Sequence, residues 1–422
     1  MNGDSWRDVL RRFAGTSAAE RLFISVAALA LSIVVGAGVI LAAGWMATCG
    51  APATIDIPLF GATLSITLQA FGEPICYDPV NVYVTLFTGA FGDILSNPTN
   101  FSFSLTLKET TLLVFTGLSV AIAFRGGMFN IGTQGQLVLG ALASALATVT
   151  VAPILPAGLV GSIVVIPFAL LVGAIVGGLY GALPGALKAY ADANEVITTI
   201  MLNFIATQVA FYLTKYHFQN PGSQVVQTRS VPGFAQLQPI LFGEGSGFSL
   251  LALVLGLALA GGAWLLLERT SLGYDLRTSG LQPEAAEYGG VDADQTMVTS
   301  MALSGALAGI GGAVWVLMAI GSYQVGVPSY GFDGITVSIL AGNNPLGVPI
   351  AALLFGVLKS GSLAVQFAGG VPQELSGVLR GLIILFVAMP EFFRMLGERL
   401  PSAESEQSAP VATDGGEGGD EE

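Results

Sequence analysis

The sequence predicts an all-α, polytopic membrane protein with about ten transmembrane helices, and three observations lead there. Of the 422 residues, 53% are hydrophobic and only 10% charged, against roughly 25% charged in an ordinary soluble domain. The apolar residues come in long runs. Leu22 to Gly44 holds no Asp, Glu, Lys or Arg, and about 20 helical residues suffice to cross a hydrocarbon core. Comparable runs recur to the end of the chain. The first run is too long for the apolar region of a secretory signal, about 7–15 residues. Continuous runs are also unlike the alternating segments of about ten residues that build a β-barrel.

Taken in order, the runs place spans at 22–44, 105–124, 131–150, 154–182, 196–214, 249–267, 297–320, 325–342, 346–366 and 374–391. Pro328 and Gly331 interrupt the eighth. Fusing the eighth and ninth would put Arg394 and Arg399 on the opposite face from Arg7, Arg11, Arg12 and Arg21. Short loops rich in Lys and Arg stay in the cytoplasm, so the two spans are kept apart, with Asn343-Asn344-Pro345 as the turn. With both termini inside, ten of the fifteen basic residues fall on the cytoplasmic side. The expected organisation is a cytoplasmic segment 1–21, a transmembrane body 22–391 in the cell membrane and a cytoplasmic tail 392–422. Pro401 to Glu422 carries seven acids and no base, so the tail buries too little to fold alone.

This parity makes spans two to five and spans seven to ten inverted with respect to each other. If they are repeats, a solute site belongs near the midplane at their interface. Residues 45–104 and 215–248 lie on the far face, and Val80 to Phe91 reads as an interfacial helix. Cys49 and Cys76, the only cysteines, sit where oxidation is permitted. Two unpaired thiols are the expected state there, with a disulfide as the alternative.

Several chemistries are absent. No Gly-Lys dipeptide occurs, so there is no phosphate-binding loop of the ATPase kind. His217 is the single histidine, and no metal site is expected around it. A net charge of −13 leaves no basic footprint for nucleic acid. Glu109, Asp333, Glu374 and Glu391 fall toward helix ends. Ion-driven carriers hold ionisable groups inside the membrane, so the driving energy is expected from another protein.

Amides and short polar motifs at helix breaks stand out instead. Phe129-Asn130-Ile131-Gly132-Thr133-Gln134-Gly135-Gln136 offers three amides with no net charge, which suits a neutral hydroxylated ligand; a polar turn capping a helix is the plainer account. Asn194 to Asn203 places Asn203 in mid-span, where an unpaired amide is costly. It must bond another helix or face a wet cavity. Gly342-Asn343-Asn344-Pro345-Leu346-Gly347 reads as a turn. In the cytoplasmic loop 268–296, Glu284-Ala285-Ala286 is followed by Gly290, which gives a short helix ended by glycine.

Those four segments, in that order, resemble the permease subunits of binding-protein-dependent ABC importers. The nearest branch serves nucleosides and simple sugars and is kin to the ribose and branched-chain amino acid permeases. The resemblance runs from about Lys108 to Phe393, and Gln134 departs from it, since the family often carries Glu there. It implies a permease subunit that is no enzyme and holds no cofactor. Two cytoplasmic ATPase subunits would hold ATP and Mg and supply the energy. A second permease subunit, often completing a heterodimer, would share the path among membrane lipids, and an extracytoplasmic binding protein would deliver solute. Glu284, Ala285, Ala286 and Gly290 would be the ATPase coupling segment. Phe129, Asn130, Gln134, Gln136, Asn203 and Asp333 are the expected path residues. Lys359, Arg380 and Asp333 fall in outer halves of spans, and snorkelling of both cations to the interface is favoured over pairing. An ion-coupled carrier or channel is the alternative reading, with Asp333 its one candidate acid.

Overall fold

The structure is a computed structural model, and it describes residues 18–388 apart from 50, 51, 60, 61, 71, 244 and 369. The acidic tail 392–422 and most of the segment 1–21 fall outside the described residues. The chain divides into a large unit, 36–384, and a second one formed by its two ends.

The molecule is mainly helical, and seven helices among the described residues are long and apolar enough to cross a membrane. In order, the helices are α1 (Ala18–Met46), α2 (Pro79–Phe91), α3 (Phe101–Arg125), α4 (Thr133–Val151), α5 (Leu159–Ala191), α6 (Glu195–Tyr216) and α7 (Leu250–Arg269). There follow α8 (Ser271–Leu281), α9 (Pro283–Tyr288), α10 (Ala293–Val314), α11 (Tyr330–Leu340), α12 (Val348–Ala368) and α13 (Gln373–Ala388). A π-helical turn, Trp315–Ile320, extends α10. Asn100 and Asn194 start α3 and α6 by accepting bonds from first-turn N–H groups, the usual work of an Asn cap.

The interior is built around α3 and α10, whose apolar windows are the most buried of the seven. The α5–α10 crossing rests on glycine: a Cβ on Gly309 would strike the Gly173 carbonyl, and one on Gly305 the Gly177 carbonyl. Without a hydrophobic drive between helices in lipid, such small-residue stripes let backbones approach and gain dispersion contacts. Large apolar side chains on α5, α6 and α7, such as Leu179, Phe204 and Val254, point outward, as lipid-facing positions should.

The eighth span takes an unexpected form. Its helical part, α11, has 11 residues, about 16 Å at 1.5 Å per residue, which is too short to cross. Gly334 of α11 packs against Thr116, well inside α3, so the helix starts deep in the protein and the residues before it, 321–329, run there without helix. Exposed non-helical backbone does not survive in hydrocarbon, and residues 321–325 here are partly or fully buried and bonded to another segment. Thr228 N–H donates to Tyr323 O at 2.9 Å, Val325 N–H to Val226 O at 3.0 Å and Val231 N–H to Gly321 O at 2.7 Å. The loop 219–238 is thus a strap stitched to the broken segment. The turn 341–347 then separates α11 from α12, so the two elements are distinct.

The stretch 45–104, expected on the far face, also holds strands absent from the all-α expectation. β1 (Thr54–Leu59) pairs antiparallel with β2 (Ala62–Thr67), and β3 (Gln69–Ala70) with β4 (Glu73–Pro74). Cys49 and Cys76 form a disulfide at the base of this small module, which corrects the expectation of free thiols. Cys76 N–H also donates to Gly44 O, so the backbone had already brought the two sulfurs together. The helix expected at the interface, α2, buries Val82, Leu86 and Ala90. It packs on α12, where Gly361 lies against Leu86.

Candidate transport site

The amide motif 129–136 spans the turn into α4 and its first helical turns, and every amide in it is engaged. Asn130 and Gln136 exchange a reciprocal pair, with Asn130 Nδ2 donating at 2.9 Å and Gln136 Nε2 returning at 3.2 Å. Asn130 Nδ2 also donates to Ser304 Oγ on α10 at 2.7 Å, and Ser304 Oγ donates to Ser119 O on α3. Gln134 reaches the broken segment: its Oε1 accepts from Gly331 N–H at 2.7 Å and its Nε2 donates to Pro328 O at 3.0 Å. Asn203 of α6 accepts from Gly135 N–H at 2.7 Å and donates to Ile131 O at 2.9 Å. Of the two fates open to Asn203, the structure has the bond to another helix.

All four amides are buried. They join the start of α4 to α3, α6, α10 and α11. Each satisfies both its donor and its acceptor side, which is how a polar group is kept in an apolar interior at little cost. Phe129 is half-buried and packs edge-on against Phe124 at 5.0 Å. In this conformation, then, the expected path residues brace the centre of the protein.

Asp333 belongs to a different group. Lys359 Nζ lies 3.0 Å from Asp333 Oδ2 and 3.4 Å from Glu109 Oε2. It also stands 3.8 Å from the centroid of the Tyr330 ring, and the Tyr330 hydroxyl donates to Glu109 Oε1 at 3.1 Å. Lys108 Nζ is 3.6 Å from Glu109 Oε1. The snorkelling expected of Lys359 is therefore replaced by pairing, and Arg380 has no part in it among the described contacts. A mid-span ammonium at the twelfth of 21 residues of α12 is far from either interface, so a carboxylate partner is the cheaper solution. Glu109 and Tyr330 are the site residues that sequence reading did not place here, and Lys359 was expected to snorkel instead of pairing. The signal was Lys359 itself, an ammonium in the middle of an apolar run.

At the far end of α11, Arg125 Nε donates to Asn343 O at 3.0 Å, and Asn343 Oδ1 accepts from Ser338 Oγ. The motif 342–347 is thus a turn held by the last residue of α3. In the loop after α8, nine of the ten residues from Leu281 to Gly290 are exposed. Glu284 and Ala285 face outward, whereas Ala286 is buried and its carbonyl accepts from Val291 N–H. Gly290, at φ +86, ends α9 in a conformation that suits glycine. Ala286 therefore seats the segment, and Glu284, Ala285 and the neighbouring Leu281 and Tyr288 form its free surface.

Residues 102–388 match the family described as branched-chain amino acid transport system, permease component. The guanosine ABC transporter permease protein NupP of Bacillus subtilis is 33% identical over 82% of this chain and 96% of its own length. The nucleoside ABC transporter permease protein NupB of Lactococcus lactis is 31% identical over 85% and 95%. The glucose ABC transporter permease protein TsgB13 of Haloferax volcanii is 29% identical over 81% and 88%. No solved structure matches the chain.

Proposed function

The chain belongs to the branched-chain amino acid transport system permease family, and from that premise we propose that it forms the membrane path for a nucleoside or simple sugar. It is a multi-pass permease subunit of an ABC importer and not an enzyme; ATP hydrolysis belongs to a separate ATPase subunit. The observation that carries the solute class is the likeness, over four-fifths of the chain, to permeases named for guanosine, nucleosides and glucose.

We read the body as ten crossings with both termini cytoplasmic, the eighth being the broken segment that ends in α11. Spans two to five and seven to ten then stand as an inverted pair. The path, in this reading, runs past α11 and the start of α4. Phe129 is the expected solute neighbour, Asn130, Gln134, Gln136 and Asn203 hold that region in shape, and Asp333, first expected on the path, is taken up by Lys359. A second permease subunit completes the path, and a binding protein delivers solute from outside. Two ATPases, carrying ATP and Mg, grip the segment 281–290 through Glu284, Ala285 and its neighbours, with Ala286 and Gly290 shaping it. Alternating access requires ATP and the loaded binding protein to favour different states of the permease.

The embedded carboxylates Glu109 and Asp333 favour a second reading, an ion-coupled carrier. Their two charges are matched by Lys108 and Lys359, so neither acid stands free to take up a coupling ion, and the importer reading is preferred. The test is reconstitution in vesicles with the ATPases and the binding protein. Uptake should require ATP, and Glu284→Arg or Gly290→Val should uncouple hydrolysis from uptake while the subunit still inserts. Uptake by the bare chain under an ion gradient would overturn the proposal.

A further inference from the structure

Gln134 holds the first turn of α11 through Gly331 N–H, but the charged group at that same end is unexplained by it. Lys359 of α12 meets Asp333 of α11 and Glu109 of α3, and it sits over the ring of Tyr330, the first residue of α11. Three elements therefore converge on one ammonium. The side chains of Lys359, Glu109 and Asp333 are 19%, 14% and 23% exposed, so water screens the pairs only partly and their geometry is demanding. With Lys108 included, two cations face two carboxylates and the group is neutral.

Apolar residues would fill the same space at no greater cost, since the desolvation of a buried pair offsets most of its attraction. What an ionic group adds is direction: it holds α11 at one register along α3 and α12. At its other end α11 is held through Asn343 by Arg125 of the same α3. Helix α11 is thus fastened to α3 at both ends.

We propose that the Lys359 cluster is an intramembrane clamp that keeps α3, α11 and α12 moving as one rigid body, making Lys359 a positioning residue for transport. The proposal rests on the importer reading for its readout. Its substance is that the charges act on one another and not on the solute. A short helix cut free from its crossing can drift or rotate in its slot. The clamp removes that freedom, so the alternation of states takes place at other helix contacts.

The test uses the assembled importer in vesicles, with binding-protein-delivered solute and ATP. Lys359→Met leaves two carboxylates facing each other, and its maximal uptake rate should fall at least tenfold. The half-saturating concentration of loaded binding protein should not change. Adding Glu109→Gln and Asp333→Asn to Lys359→Met removes both stranded carboxylates in similar shapes and leaves only the partly exposed Lys108 charged, and the triple variant should recover to within about threefold of the unaltered chain. If Lys359→Met fails to assemble, recovery of assembly in the triple variant supports the clamp equally. A triple variant that assembles but transports no better than Lys359→Met would show that the charges touch the solute, and the clamp would be wrong. Full activity of Lys359→Met would also overturn it. ATP-independent uptake by the unaltered chain would instead strike the importer reading, and rescue by the triple variant would still judge the clamp.

Discussion

Gln134 offers a sharp measure of what the broken crossing depends on. Its side chain covers two backbone groups of the other half of the molecule, the Gly331 N–H at 2.7 Å and the Pro328 carbonyl at 3.0 Å. Gln134→Leu keeps the volume roughly constant and leaves the buried Gly331 N–H without a partner, whereas Pro328 O keeps its bond from Tyr330 N–H at 2.7 Å. The orphaned group costs about 1–3 kcal/mol, a large part of any protein's margin. Gln134→Glu keeps the acceptor for Gly331 N–H and lacks only the second donor for Pro328 O, so it should lose less than about 1 kcal/mol. The order of stability should be Gln, then Glu, then Leu. Reversible unfolding of the purified chain in mixed detergent–SDS micelles, followed by tryptophan fluorescence, reads this order directly. A Leu variant within about 1 kcal/mol of the parent would refute the reasoning, because a polar crossing left bare by that margin would have found other partners.

Two further outcomes follow from packing and from the outer module. Gly309→Leu should prevent the α5–α10 crossing, since even a Cβ there strikes the Gly173 carbonyl; the variant should reach the membrane at less than a tenth of the parent level by immunoblot, and normal levels would show that the crossing is not needed. The Cys49–Cys76 disulfide closes a separation of 27 residues, worth about 3.5 kcal/mol to the module by loop entropy. Without reductant no thiol should accept a maleimide label, and Cys49→Ser with Cys76→Ser should make the 52–75 stretch the first site of protease cutting. Labelling of the unreduced chain, or unchanged cutting of the variant, would contradict this.

Much of the scaffold was legible because hydrocarbon imposes length and apolarity on a helix, and both are written in composition. The long helices fall close to their expected runs, with α3 starting at Phe101 and α5 continuing to Ala191. The eighth span was hidden for the same reason. Hydropathy counts apolar residues and cannot see whether their backbone is helical, so 325–329 read as the start of a helix although Val325 N–H is satisfied by Val226 O of a loop about a hundred residues earlier. The disulfide and the strands were obscured because pairing between Thr54 and Thr67 depends on partners, and no periodicity within a single segment declares them.

The candidate residues show the same division. Asn130, Gln134, Gln136 and Asn203 stood out since amides are rare in apolar runs, but their mutual engagement depends on how α4, α6 and α11 meet. Lys359 was seen and misread. Snorkelling is decided by depth, and the depth of a residue is fixed by where its helix begins, at Val348, which a span edge uncertain by several residues does not give.

The stitching of loop 219–238 to residues 321–325 changes how this protein can be recombined. Outer loops are ordinarily the parts exchanged between relatives to graft a new docking preference, on the assumption that they come away freely. Here the loop supplies main-chain partners to the non-helical segment that leads into α11. A chimera that imports it alone would strip that segment, so the smallest transferable piece is the loop together with the segment it covers.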